Sequence, residues 1–188
     1  MAVTVAPREV VDEVHRASRA LGLNADLADR LAVEIAFCEV HHGGGLAAWA
    51  DLVAAGGDRL ADAAHIPFQM TGAEVEARTT GTARIDLEPA VPLAVLARSI
   101  RDLDRRGICC TPSPDGRPGT HLVAALDLAV GDPDPTADAR IAERSQDALN
   151  HGVDVDADLW RLLRGRSHDF LVAESVLDAA HTEGQGGI

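Results

Sequence analysis

The chain has 188 residues, of which 46% are hydrophobic, 25% are charged and only 3% are aromatic, and its formal net charge is −13. This composition is typical of one globular domain, and no segment reaches the roughly 18 uncharged apolar residues that a membrane-spanning helix requires. An acidic surface repels phosphate backbones, so we expect no nucleic-acid partner, and the lack of a spanning segment predicts no membrane partner. The N-terminal segment lacks the pattern of a secretory signal, which predicts a cytoplasmic protein.

The sequence contains no lysine and no tyrosine. Their absence excludes catalysis through a lysine Schiff base, a P-loop lysine or a Tyr-Lys proton relay. The core must be aliphatic and gains modest buried area per residue, so we predict a homo-oligomer or a complex with a protein partner. The three cysteines, Cys38, Cys109 and Cys110, lack the spacing of a disulfide framework and are expected to be reduced thiols.

Helical spacing of apolar residues dominates the first third of the chain. Proline at a first turn, asparagine as an N-cap and glycine after a last turn provide the boundaries. The predicted helices, in chain order, cover 7–21 (from Pro7, before Gly22), 25–42 (capped by Asn24), 47–55 and 59–64 (ended by Ile66-Pro67).

The middle of the chain mixes alternating and helical patterns. Apolar and polar residues alternate on both sides of Thr79-Thr80-Gly81, which predicts a hairpin of strands 75–78 and 82–87. The pattern then predicts a helix over 93–106, a buried strand over 108–110, a Pro/Gly-rich loop over 111–119 and a strand over 121–130.

The last third returns to helices after a linker at 131–135. It is predicted to hold a helix over 136–150, a helix that begins at Asp156 or Asp158, a final strand at 170–172 and a loose tail at 184–188. We therefore expect an α+β fold with a helical N-terminal third, a small central sheet and a helical C-terminal third. Residues 1–188 are expected to form a single domain, with a helical subdomain at 1–65.

The end of the second predicted helix concentrates reactive side chains. Glu34, Cys38 and His41 have i, i+4 and i+7 spacing and so project from one side of the helix, and His42 and Gly43-Gly44-Gly45 follow. His42, His41 and Glu34 are candidate catalytic residues. The glycines Gly43, Gly44 and Gly45 would let a substrate approach the backbone. Cys38 and His41 are also candidate metal ligands, with further ligands from elsewhere in the chain.

The same residues have a structural interpretation. Cys38 lies on the apolar stripe of the helix, where a free cysteine behaves as a small hydrophobe. The histidines would complement the helix dipole, with Gly43 as a left-handed cap. The sequence leaves the catalytic and the structural interpretation open.

Two further groups of chemically capable residues favour structural roles. Asp154, Asp156 and Asp158 alternate, but the glycine and the glutamate of an EF-hand loop are absent from the matching positions, so helix capping is favoured over calcium binding. Cys109 and Cys110 are adjacent in a predicted strand and point to opposite faces, which disfavours a shared metal ion. The sequence identifies no cofactor.

The C-terminal segments 160–163, 170–175 and 184–187 resemble the end of an uncharacterised bacterial family of small acidic proteins. Together with the N-terminal helical pair, the resemblance covers roughly the first fifty and the last thirty residues. It implies a helical pair followed by a mixed region, and it carries no activity with it.

A second resemblance concerns Val40-His41-His42-Gly43. This segment is similar to the end of the second helix in type 2 malate/lactate dehydrogenases, which carries a Ser-His-Gly motif with a catalytic histidine. His42 takes the position of that histidine, and His41 replaces the serine. The resemblance covers roughly 50 residues, and no nicotinamide-binding region follows. It therefore does not imply the dehydrogenase reaction, and it implies only that His42 faces a pocket.

Two functional hypotheses follow from these patterns. The first is a soluble cytoplasmic subunit or binding partner in small-molecule metabolism, acting in an oligomer or complex and binding a small-molecule ligand. The second is a small-molecule enzyme, a hydrolase, lyase or oxidoreductase, with a histidine-centred and metal-binding site at His41 and His42. The sequence leaves open whether the protein is an enzyme.

Overall fold

The computed structural model describes residues 1–183, which form an α+β fold with helices at both ends. The strands of this part of the chain are β1 (Ala2–Val5), β2 (Thr82–Pro92), β3 (Ile108–Thr111), β4 (Leu122–Val130) and β5 (Val153–Asp156). Its α-helices are α1 (Pro7–Ala20), α2 (Ala25–His41), α3 (Gly45–Ala55), α4 (Gly57–Thr80), α5 (Ala97–Arg105), α6 (Ala137–His151) and α7 (Ala157–Glu183).

Helix α2 lies at the centre of the molecule and packs against α1, α3, α4, α5 and α6. Its Leu31 and Ile35 are almost completely inaccessible to solvent. Asn24 begins the helix as predicted, because its Oδ1 accepts a hydrogen bond of 2.9 Å from the amide of Leu27. The buried apolar side chains form one continuous cluster that extends from Val5 to Leu163.

Two small antiparallel sheets border the helices. One has the strand order β2-β4-β3, and the other pairs β1 with β5 so that Ala2 lies opposite Asp156. The three-stranded sheet buries Leu126 and Leu128 against the helices, while Arg84 and Asp127 pair on its solvent face. The loop from β3 to β4 leaves the sheet and reaches the end of α2, where Gly119 donates a 2.8 Å backbone hydrogen bond to Gly43.

Most of the predicted elements are confirmed. The fold class is correct, as are the first three helices, the helices near 93–106 and 136–150, the strands at 82–87, 108–110 and 121–130, and a helix start beside Asp156. Oδ1 of Asp156 accepts the amides of Asp158 and Leu159 at 2.9 and 3.1 Å, as expected of a cap. The tail at 184–188 lies outside the described residues.

Three predictions of secondary structure are wrong. Helix α4 continues through Pro67 to Thr80, so neither the end at Ile66-Pro67 nor the strand at 75–78 exists. The segment 170–172 belongs to α7. Pro67 is tolerated inside α4 because it lies on the buried face, where packing compensates for the lost hydrogen bond.

The strands β1 and β5 had no counterpart among the predictions. Each has four residues and is stabilised by pairing with the other, about 150 positions away in the chain. The local sequence of either strand therefore does not predict it. In the described part of the chain, no helix is both long and apolar enough to span a membrane.

Candidate functional site

Glu34 faces away from the histidines and holds the start of α5. Its carboxylate accepts the amides of Arg98 at 2.9 Å and Ser99 at 3.0 Å, and the Ser99 hydroxyl as well. Leu96, the N-cap residue of α5, has an apolar side chain that cannot accept a hydrogen bond from these amides. The predicted catalytic carboxylate is therefore positioned as a cap supplied by a neighbouring helix.

Cys38 is buried against the backbone of the glycine turn. The side chain is completely inaccessible to solvent, and its thiol lies 3.9 Å from the carbonyl oxygen of Gly43. Burial raises the pKa of Cys38 to about 12, with further contributions from Glu39 and Glu34. Cys38 therefore stays a protonated thiol at neutral pH, which is a poor nucleophile.

The three glycines allow backbone to approach backbone. Gly43 and Gly44 have φ values of +72° and +74°, which reverse the chain direction after α2. A Cβ on Gly45 would lie 2.4 Å from the carbonyl oxygen of Ile35, and a Cβ on Gly119 would lie 2.9 Å from Gly44. None of the three borders the cleft described below, so the structure places the predicted substrate-binding glycines at a packing contact.

A cleft of about 950 Å³ opens at the C-terminal end of α2, between that helix, α5, α6 and the β3–β4 loop. We refer to it as the end cleft. Both His41 and His42 border it, and the ring of Phe37 lies 4.4 Å from the His41 ring and 6.1 Å from the His42 ring. His42 is partly exposed, so the predicted pocket beside this histidine is present.

Both imidazoles are neutral at pH 7. Burial lowers the pKa of His41 from 6.5 to about 4, and His42 and Arg144 act in the same direction. Burial also lowers the pKa of His42, which Arg144 reinforces and Asp115 opposes. A neutral imidazole can accept a proton or a hydrogen bond, so either ring has the protonation state that a general base requires.

Four arginines border the end cleft: Arg101, Arg117, Arg140 and Arg144. None was a candidate in the sequence, because arginines spread over 101–144 form no local motif. Only the Pro/Gly-rich segments at 111–119 and 131–135, which frame the cleft, signalled unusual backbone there. The fold brings these arginines together across the β3–β4 loop and the start of α6.

Two residues that border the end cleft each have a buried polar atom with no hydrogen-bond partner among the described residues. The atoms are Nδ1 of His41 and Nε of Arg101, and the two residues are only 5% and 8% exposed. The other nitrogen of His41, Nε2, lies 3.4 Å from the Ser145 hydroxyl. Unsatisfied buried polar atoms are rare and costly, and two of them on residues that border one cleft single out this cleft as the candidate site.

Metal binding at Cys38 and His41 finds no support in this geometry. The two side chains contact different groups, and among the side chains described, those of residues 1–170, no three histidine, cysteine, aspartate or glutamate residues converge on one point. Cys110 also borders the end cleft, but burial raises its pKa to about 12, so it too is a neutral thiol.

No protein-family model matches this chain, and neither a characterised protein nor a solved structure shows significant similarity to it.

We predict opposite effects of alanine at two helical glycines. Gly45→Ala should destabilise the protein by several kcal/mol, about 2–4, because the new Cβ overlaps the backbone of α2. Gly72→Ala in α4 meets no atom within 4 Å and should stabilise by about 0.5–1 kcal/mol. Urea unfolding measures both free energies, and equal effects of the two substitutions would contradict the packing role.

Glu34 should make stability depend on pH. Burial raises its pKa from 4.5 to about 7, against the hydrogen bonds from Ser99 and Arg98, so the folded chain retains a proton that the unfolded chain releases. This contribution is fully present below pH 4.5 and is lost as the pH rises through 7. Glu34→Gln should flatten the dependence, and Glu34→Ala should cost about 1–3 kcal/mol by leaving the amides of α5 unpaired. A pH series of urea unfolding curves tests this, and unchanged curves for both variants would refute the capping role.

Proposed function

We propose that the protein binds a small molecule in the end cleft and serves as a cytoplasmic binding subunit in small-molecule metabolism. The observation that carries the proposal is a cleft of about 950 Å³ bordered by two residues, His41 and Arg101, that each have a buried polar atom without a hydrogen-bond partner among the described residues. This volume suits a metabolite-sized ligand, and such sites combine apolar walls with a few convergent polar groups. Phe37, Ile100 and Ile141 supply the apolar walls.

The proposal includes association with a second copy or another protein. Its support is the aliphatic, aromatic-poor core, which buries modest area per residue and would gain stability from association. Sedimentation at micromolar concentration tests this part separately, and a strictly monomeric protein would contradict it.

Filling the cleft should abolish ligand binding. Ile141 lies on α6 and borders the cleft, so Ile141→Trp should occupy the ligand's volume without changing charge. Leu149→Trp is the matched control, because it lies on the same helix, is 71% exposed and does not border the cleft. The assay is a screen of anionic, neutral and cationic metabolites that follows the imidazole NMR signals of His41 and His42. We expect compounds that bind the wild type to bind Leu149→Trp as well and to lose binding to Ile141→Trp. Equal binding by both variants would contradict the proposal.

One observation favours an enzyme as the second candidate. His42 is partly exposed in the cleft with a lowered pKa, and it is therefore an available base at neutral pH. Turnover of a bound compound by the wild-type chain, lost in His42→Gln while binding is retained, would identify this alternative. Binding without turnover would favour the binding subunit.

A further inference from the structure

The charge balance of the end cleft differs from that of the protein as a whole. The chain carries a net charge of −13, yet the cleft is bordered by four arginines and only three aspartates, namely Asp104, Asp115 and Asp134. Both of its α2 histidines are neutral at pH 7, because burial lowers the pKa of each. With Asp138, which pairs with Arg101, the aspartates equal the arginines in number, so the cleft lacks the excess of negative charge that the chain has as a whole.

Two of the four arginines are already neutralised. Arg101 contacts the carboxylates of Asp104 and Asp138, the latter at 2.7 Å. Arg140 lies between Asp134 at 3.0 Å and Asp115 at 3.2 Å. The charges of these four aspartates are therefore paired with the guanidinium groups of Arg101 and Arg140.

The other two arginines have no carboxylate partner among the described residues. Arg117 on the β3–β4 loop contacts Nε2 of His121 at 2.8 Å, and Arg144 on α6 donates to the carbonyl oxygen of His41. A guanidinium group has five N–H donors, so each contact leaves most of them free.

The polar groups of the cleft that lack a charged partner are thus the positively charged N–H donors of Arg117 and Arg144. A cationic ligand would be repelled by the guanidinium groups of Arg117 and Arg144, which have no carboxylate partner. A neutral ligand would not neutralise their charge. Carboxylate and phosphate groups carry the opposite charge, and two of their oxygens can accept paired hydrogen bonds from one planar guanidinium group.

We propose that the end cleft binds a small organic anion through the guanidinium groups of Arg117 and Arg144, while the apolar part of the anion packs against Phe37 and Ile141. This inference rests on the proposed function and narrows it to one class of ligand. The shared chemistry is an oxyanion, which a carboxylate or a phosphate group can supply.

The test uses four small probes on the full-length protein. They are succinate, inorganic phosphate, the neutral compound glycerol and the dication 1,4-diaminobutane, each titrated at constant ionic strength. The imidazole signals of His41 and His42 report binding, because both rings border the cleft. Saturable shifts with succinate or phosphate, and none with glycerol or the dication, are expected, and the stronger of the two anions identifies the oxyanion group.

Three variants locate the binding contacts. Arg117→Gln and Arg144→Gln should each weaken anion binding about tenfold or more, as loss of a charged hydrogen bond does. Arg166→Gln, an exposed arginine of α7 outside the cleft, is the matched control and should bind as the wild type does. Arg117 lies on a loop, so its variant keeps the test valid even if Arg144→Gln loosens α6.

The possible failures separate the two proposals. If neither anion shifts the imidazole signals, or if the arginine variants bind like the control, the anion assignment is wrong. If in that case a neutral or cationic metabolite binds and Ile141→Trp abolishes its binding, the proposed function stands with a different ligand class. If no metabolite binds in the cleft, both proposals fail.

Discussion

The free backbone groups at helix ends are the constraint on which this structure depends, because α2 satisfies them for its neighbours. Glu34 caps the start of α5, and Oε2 of Glu39 accepts the amide of Leu46 at the start of α3 at 2.7 Å. At the C-terminal end of α2, the carbonyl oxygen of His41 accepts a hydrogen bond from Arg144 of α6. Each end of these helices would otherwise leave buried polar groups unpaired.

These contacts explain why the cleft forms where it does. The glycine turn after α2 lets the β3–β4 loop approach within backbone hydrogen-bonding distance, and Arg144 ties α6 to the same point. The two histidines are then enclosed between a loop and a helix that contact α2 chiefly through polar groups. Enclosure keeps the rings neutral and brings distant arginines beside them.

The sequence predicts local structure well and the composition of the cleft only in part. The spacing around Asn24 and Pro7 is decided within one or two helical turns, so the helices there are confirmed. Pro67 was misread because its position on a buried face depends on tertiary packing. Helical spacing placed Glu34 on the same side as His41, but the carboxylate and the imidazole meet different elements, which spacing along one helix does not reveal. The four arginines were missed for the same reason, since their proximity arises from the fold alone.

The most direct measurement of the central claim is a backbone amide NMR map of the wild-type chain with its best-binding metabolite. The account predicts that shifted amides cluster at residues 37–42, 112–121 and 137–144, around the end cleft. A cluster around Phe68, Arg98 and Asp102, which border the separate cleft beside Glu34, would contradict it.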